Sequence, residues 1–218
     1  MLTLHGFSYS NYYNIPKHAL LYKRVPFEED LVYPSGEGYA RFSPAKKVPS
    51  LTTEDGRHLS EAAVLCEYIE DAYPEPALLP ADPWARNHVR QIMHMAELYL
   101  ELPCRRLLPF SFTNATPPEA LCAEVGAVVD RGVASMNALC DIDPFLTGRA
   151  LTMADIYVRY VFQVVDLGSR LLKRDIEGEI GGLGAWRARM AADPVSRRVD
   201  ADTEANREGF FAYIASLR

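Results

Sequence analysis

The sequence has no run of about 18 consecutive apolar residues, so no segment reads as a membrane span. Its first residues, MLTLHGFSYSNYYN, carry neither the basic flank nor the apolar stretch of a signal peptide. Lys and Arg form no long run and the formal net charge is −6, which argues against a nucleic acid or an anionic membrane as the main partner. Cysteine is scarce. Cys66, Cys104, Cys122 and Cys140 are far apart, without a Cys-x-x-Cys or a His at metal-ligand spacing. Each sits in an apolar helical context and reads as a reduced, buried small hydrophobe, consistent with a cytoplasmic location. His88 and His94 are too widely spaced to share a metal on one helical face, and GEIGGLG reads as a helix break, not a dinucleotide fingerprint. No internal repeat or low-complexity tract is present.

What remains is a chain of 218 residues, 49% hydrophobic and 24% charged, able to bury a sizeable core. Residues 2–7 begin with strand-like alternation, and NIPKHALLYKR reads as a helix with Pro16 in its first turn, where a missing N–H costs nothing. VPFEEDLVY is a second strand and PSGEGYARFSP a turn-rich loop. PSLTTEDGRHLSE holds two short strands joined at Glu54-Asp55-Gly56, a hairpin signal, and EAAVLCEYIEDAY follows as a helix. Pro74, Pro76, Pro80 and Pro83 then make a stiff connector, beyond which strand signals stop. Helical patterns cover 84–108 (kinked or ended by Pro103), 119–140, 155–172, 185–190 and 207–217. The expected organisation is an α/β domain at 1–75, a proline-rich linker at 76–84 and an all-helical domain at 85–218. At Thr152–Asp155 the pattern Thr-x-x-Asp predicts a capping box, with Leu151 and Ile156 as its hydrophobic staple.

Four motifs in this order (KVPSL before a hairpin, an acid opening the next helix, FLTGRALTMADI at 145–156, and LGAWRARMAADPVSRR at 183–198) resemble the cytosolic glutathione S-transferases across nearly the whole chain. The resemblance implies a thioredoxin-like N-terminal domain, a helical-bundle C-terminal domain, glutathione as co-substrate, a small hydrophobic electrophile, no metal and a homodimer. It implies that Pro49 is preceded by a cis bond, leaving the Val48 N–H and C=O to pair with the tripeptide as an added strand. Glu61 and the following residue would hold the γ-glutamyl carboxylate at a helix N-terminus, where dipole and free N–H groups favour an anion. The family usually has Glu-Ser there; this chain has Glu61-Ala62, one donor fewer, and Glu61 also reads as a capping acid without a ligand. Ser60 is an alternative cap. Lys47 aligns with a family lysine that reaches the glycyl carboxylate; Lys46 and Lys47 also read as solvated surface charges.

The thiolate-activating residue follows the first strand in this family. FSYSNYYN offers Ser8, Tyr9, Ser10, Asn11, Tyr12 and Tyr13. Alignment of the first helix puts Ser10 at the serine position of zeta- and theta-like classes, ahead of Tyr12 and then Asn11; a hydroxyl donating to sulfur favours thiolate over thiol. No cysteine stands in this run, which argues against omega- and beta-like chemistry. The resemblance implies an electrophile pocket along 84–108, with His94, Glu97, Tyr99 and Arg105 as polar candidates for its lining. The alternatives to conjugation are a glutathione-dependent isomerase, a peroxide or disulfide reductase, and a non-catalytic module of the same fold.

Overall fold

The structure, a computed structural model, describes residues 1–34 and 37–217. Ser35 and Gly36 of the expected turn-rich loop lie outside the described residues. The chain divides into two compact units, Met1–Ala77 with Ala192–Arg218, and Leu78–Ala191. The change from the first to the second falls within the proline-rich stretch. The C-terminal segment differs from the reading that gave all of 85–218 to a second domain: its last residues join the first unit.

In the first unit, β1 (Leu2–Gly6), α1 (Asn11–Tyr22), β2 (Phe27–Leu31), a 3-10 turn (Glu37–Arg41), β3 (Ser50–Thr52), β4 (His58–Ser60) and α2 (Ala62–Ala72) form a four-stranded mixed sheet with the thioredoxin-like order β2-β1-β3-β4. β1 is parallel to β2 and antiparallel to β3, which is antiparallel to β4. The hairpin turns where Asp-Gly predicted it, with Gly56 at φ 81°. Alternation puts Leu2, Leu4 and Leu51 on the face covered by Ile15, Ala19 and Leu20 of α1 and Leu65 and Ile69 of α2, all fully buried. Each buried Leu or Ile contributes about 1.5–3 kcal/mol. On the opposite face His5 donates from Nδ1 to Asp30 (2.7 Å), shares a hydrogen bond between Nε2 and the Thr52 hydroxyl (2.6 Å) and stacks on Phe42.

α1 starts at Asn11, three residues before the helix start read at Asn14. Ser10 is its N-cap, so Pro16 lies inside the helix, not in its first turn. The ring removes the donor that would meet the Tyr12 carbonyl, a loss the helix sustains through its buried face. The Lys23 ammonium, beyond the end of α1, is fully buried and ties Glu70 of α2 (2.7 Å) to the Tyr73 and Pro76 carbonyls (both 2.8 Å). It therefore secures the end of α2 and the start of the linker.

α9 (Pro194–Ala205) and α10 (Arg207–Ser216) belong to this unit as well. α9 escapes a search for apolar periodicity because only Ser196 and Val199 along it are buried; its start is nevertheless written in Asp193, whose Oδ2 accepts from the Ser196 N–H (2.8 Å), and in Pro194 at the first helical position.

The second unit contains α3 (Pro83–Ala96), a π turn (Glu97–Glu101), α4 (Leu102–Arg105), α5 (Leu108–Thr113), α6 (Glu119–Leu139), α7 (Met153–Leu172) and α8 (Leu183–Ala192). The long helix read at 84–108 runs on through Pro103 to Arg105 as α3, the π turn and α4, and the π turn just before Pro103 accommodates the missing donor. α7 is buried nearly all round, through Ile156, Val158, Val161, Phe162 and Val165, as expected for a helix at the centre of a bundle. Its capping box is formed: the buried Asp155 carboxylate accepts from the Thr152 N–H (2.8 Å), and also from the Leu146 N–H (2.9 Å) and Trp186 Nε1 (2.8 Å). Burial raises the Asp155 carboxyl above its usual range while these donors pull it back. Arg105, a candidate for an electrophile pocket, is engaged by the fully buried Glu101 one helical turn before it. No helix of the described residues is long and apolar enough to cross a membrane.

Cys66 and Cys104 are buried as expected, but Cys122 and Cys140 are only half-buried. Burial pushes the Cys104 and Cys140 thiols up to about 12 and raises Cys66 too, so none of these three is a ready nucleophile at neutral pH.

Candidate functional site

Three segments singled out in the sequence leave the sheet at one end. β1 runs out through Gly6 into the Phe7–Ser10 turn. β3 starts opposite His5 at Ser50, directly after Val48-Pro49, and β4 ends with Ser60 opposite Ser50, just before Glu61-Ala62. Antiparallel pairing thus collects the β1–α1 turn, the proline and the start of α2 in one neighbourhood.

The Val48–Pro49 bond is cis, and neither the N–H nor the C=O of Val48 is hydrogen-bonded within the described residues. Pro49 is buried and Val48 half-buried. The preceding turn is held by the buried Ser43, whose carbonyl accepts from the Lys46 N–H (2.8 Å) and whose Oγ accepts from the Lys47 N–H (3.2 Å). Both lysine side chains are exposed.

Glu61, not Ser60, is the N-cap of α2; Ser60 ends β4. Glu61 has φ 75° and ψ 119°, its carboxylate makes no capping bond, and Ala62 is the first residue of the helix. The first-turn N–H groups therefore receive no side-chain cap from the chain, the arrangement that suits an external anion. Holding a non-glycine residue at this positive φ costs of order 1–3 kcal/mol, and such strain collects at ligand sites. Glu61→Gly is expected to stabilise the protein by about 1 kcal/mol, the relieved strain less glycine's extra chain entropy. Urea denaturation measures it, and a less stable variant contradicts a strained Glu61.

Ser10 has extended backbone angles (φ −82°, ψ 120°), and its Oγ accepts from the Tyr13 N–H at 3.4 Å. The hydroxyl proton goes to no acceptor among the described residues. A hydroxyl that accepts at a helix N-terminus and still has its proton to give is suited to stabilise an anion there. Asn11 is buried and Tyr12 half-buried in the first turn of α1. Tyr13 is removed from the candidates: its ring lies against Gly6, where a Cβ would come within 2.4 Å, and its phenol donates to Glu29 of β2 (2.8 Å). Burial, and next the Glu29 charge, raise its pKa well above the usual phenol range.

Beside Tyr13 lies a cluster that spacing alone did not reveal. The Lys17 ammonium, with its side chain 1% exposed, sits between Glu29 of β2 (2.7 Å) and Asp202 of α9 (2.8 Å), and donates to the Ser8 Oγ (3.3 Å). A cleft of about 280 Å³ is lined by Ser8, Tyr13, Lys17, Glu29, Asp202 and Asn206, among others. One ammonium thus bridges two carboxylates, and the cluster anchors α9 to α1 and the sheet.

The profile of the glutathione S-transferase N-terminal domain matches residues 4–77. A glutathione S-transferase from Pseudomonas putida is 37% identical over 218 residues, covering 99% of both chains. A maleylpyruvate isomerase from Ralstonia sp is 32% identical over 197 residues, covering 82% of this chain and 92% of that protein. Among solved structures, a bacterial maleyl pyruvate isomerase, described as a zeta-class glutathione S-transferase, has a TM-score of 0.72 at 24% identity, covering 90% of this chain and 95% of that one. A fold likeness at that identity speaks for the architecture alone, but the full-length relative speaks for descent. By that measure the chain belongs to the glutathione S-transferase family.

Proposed function

We propose that this protein binds glutathione, holds its sulfur as the thiolate and delivers it to an electrophilic carbon. The observation that carries the reading is the meeting, at one sheet end, of a cis Val48–Pro49 with unpaired main-chain groups, the uncapped start of α2, and Ser10 with a proton to give. In this reading the cysteinyl backbone pairs with Val48, the γ-glutamyl carboxylate rests on the N–H groups of Ala62 and the residues after it, and Lys47 attracts the glycyl carboxylate. The Ser10 hydroxyl donates to sulfur, with Tyr12 and then Asn11 as the next candidates. The S–C bond forms as a leaving group departs or a conjugated double bond takes up the electron pair; no covalent enzyme intermediate is needed.

Retention on immobilised glutathione, followed by a conjugation assay with a generic aryl halide, tests this. Retention with turnover supports it; neither retention nor turnover leaves a non-catalytic module. Ala62→Ser restores the hydroxyl usual in the family, and is expected to lower the KM for glutathione about tenfold, the worth of one charge-assisted hydrogen bond. A KM within twofold of the parent contradicts the assignment of the carboxylate to this helix start.

The isomerase relative favours a second chemistry at the same site. There the thiolate adds to a cis double bond of an unsaturated diacid, the single bond rotates, and elimination returns glutathione. Isomerisation consumes no glutathione and conjugation consumes one per turnover, so thiol titration during the reaction separates them.

The reading brings a cytoplasmic location and a homodimer with it. Trp84, Leu98 and Leu102 on α3, the π turn and α4 are exposed apolar side chains that a partner copy would cover. Light scattering of the purified chain measures the oligomer.

A further inference from the structure

The Ser10 N–H donates to the Phe7 carbonyl (3.0 Å), closing a β-turn whose central peptide joins Ser8 to Tyr9. That peptide is held on both sides by side chains. Its carbonyl accepts from Asn14 Nδ2 (2.9 Å) and from the Thr203 hydroxyl (2.9 Å), whose single proton is shared with the Val199 carbonyl (2.9 Å). Its N–H donates to Asn206 Oδ1 (3.1 Å). The amide of Asn206 donates in turn to the Tyr33 hydroxyl (3.0 Å), which approaches so closely that a Cβ at Gly209 would lie 2.8 Å from it. The Tyr9 ring stacks on Phe210 at 4.5 Å between centroids. Thr203 and Asn206 sit three residues apart on α9 and its C-cap, almost two hundred positions from the turn they grip.

Type I and type II turns differ by a flip of the central peptide, and a flipped peptide re-aims the residue that follows. Here both ends of that peptide are pinned, and the residue that follows the turn's two central positions is Ser10. Resting on the glutathione reading above, we propose that Asn206, seconded by Thr203, is a positioning residue: by holding the Ser8–Tyr9 peptide in one orientation it aims the Ser10 hydroxyl at the glutathione sulfur. α9 and α10 thereby form part of the thiolate-activating machinery, though neither supplies a group that touches sulfur.

The test compares Asn206→Ala with Asn206→Asp, which keeps an acceptor for the Tyr9 N–H, and reads three quantities. The first is the pH titration of thiolate absorbance for bound glutathione, the second kcat and KM, and the third amide exchange at Tyr9 without glutathione. In Asn206→Ala the bound thiol is expected to titrate closer to free glutathione, kcat to fall about tenfold from the misaimed donor, the KM for glutathione to stay within about twofold, and Tyr9 exchange to accelerate. Asn206→Asp is expected to restore all three. If the alanine variant does not fold, Thr203→Val, which removes one donor from the Ser8 carbonyl, is expected to shift the titration the same way by a smaller amount. An unchanged titration in Asn206→Ala or, where that variant does not fold, in Thr203→Val overturns the proposal, as does an aspartate variant impaired like alanine. A parent protein that shows no bound-thiol titration is a different failure, of the glutathione reading itself, and removes this inference with it.

Discussion

Ser10→Ala is expected to lower kcat/KM for glutathione conjugation about 10²-fold, the usual cost of deleting one donor aimed at developing or resident negative charge. The same hydroxyl is the N-cap of α1, so the substitution also removes about 1 kcal/mol of stability. A cap-preserving variant separates the two effects. Ser10→Asp keeps an acceptor for the Tyr13 N–H but sets a negative charge beside the sulfur, where it opposes thiolate formation. Stability close to the parent with activity as low as in Ser10→Ala is the expected pair of results, measured by urea denaturation and initial rates. Tyr12→Phe and Asn11→Ala are the controls. Ser10→Ala within twofold of the parent, with a large loss in Tyr12→Phe, moves the role to the tyrosine.

The largest stability effect is expected at Lys23. Its ammonium is fully buried and its three contacts, to Glu70 and to the Tyr73 and Pro76 carbonyls, match its three donors. Lys23→Ala removes the ammonium 2.7 Å from the Glu70 carboxylate, which is 5% exposed, and takes a donor from each of two carbonyls. Breaking one side of such a pair costs about 3–5 kcal/mol, whereas replacing both charges by apolar groups is often nearly neutral. Lys23→Met combined with Glu70→Leu is therefore expected to recover most of the loss, and denaturant unfolding of the single and double variants checks it. A single variant that loses less than about 1 kcal/mol makes Lys23 an ordinary solvated lysine.

Much of this was written locally. Alternation at Leu2 and Leu4, Asp-Gly at 55–56 and Thr-x-x-Asp at 152–155 are short-range signals, and the strand, the hairpin and the capping box stand where they pointed. The cis bond at Val48-Pro49 and the helix start at Glu61 were legible through resemblance, even though Ala62 departs from the residue usual there. What stayed hidden depends on partners remote in sequence. The partners of Lys17 and Lys23 stand on β2, α2 and α9, and no local pattern around either lysine announces them. Tyr13 stood among the hydroxyls of FSYSNYYN, behind Ser10, Tyr12 and Asn11, and only the fold shows its phenol turned to Glu29. α9 carries few buried apolar residues because Asp202, Thr203 and Asn206 bind the first unit by charge and hydrogen bonds, and periodicity cannot register that kind of attachment.

A crystal structure of the protein with glutathione tests the central claim most directly. The account predicts the cysteinyl N–H and C=O paired with the Val48 main chain, the γ-glutamyl carboxylate on the first N–H groups of α2, and the sulfur within hydrogen-bonding reach of Ser10 Oγ. Glutathione seated elsewhere, or a sulfur turned away from Ser10 toward Tyr12 or Asn11, contradicts it.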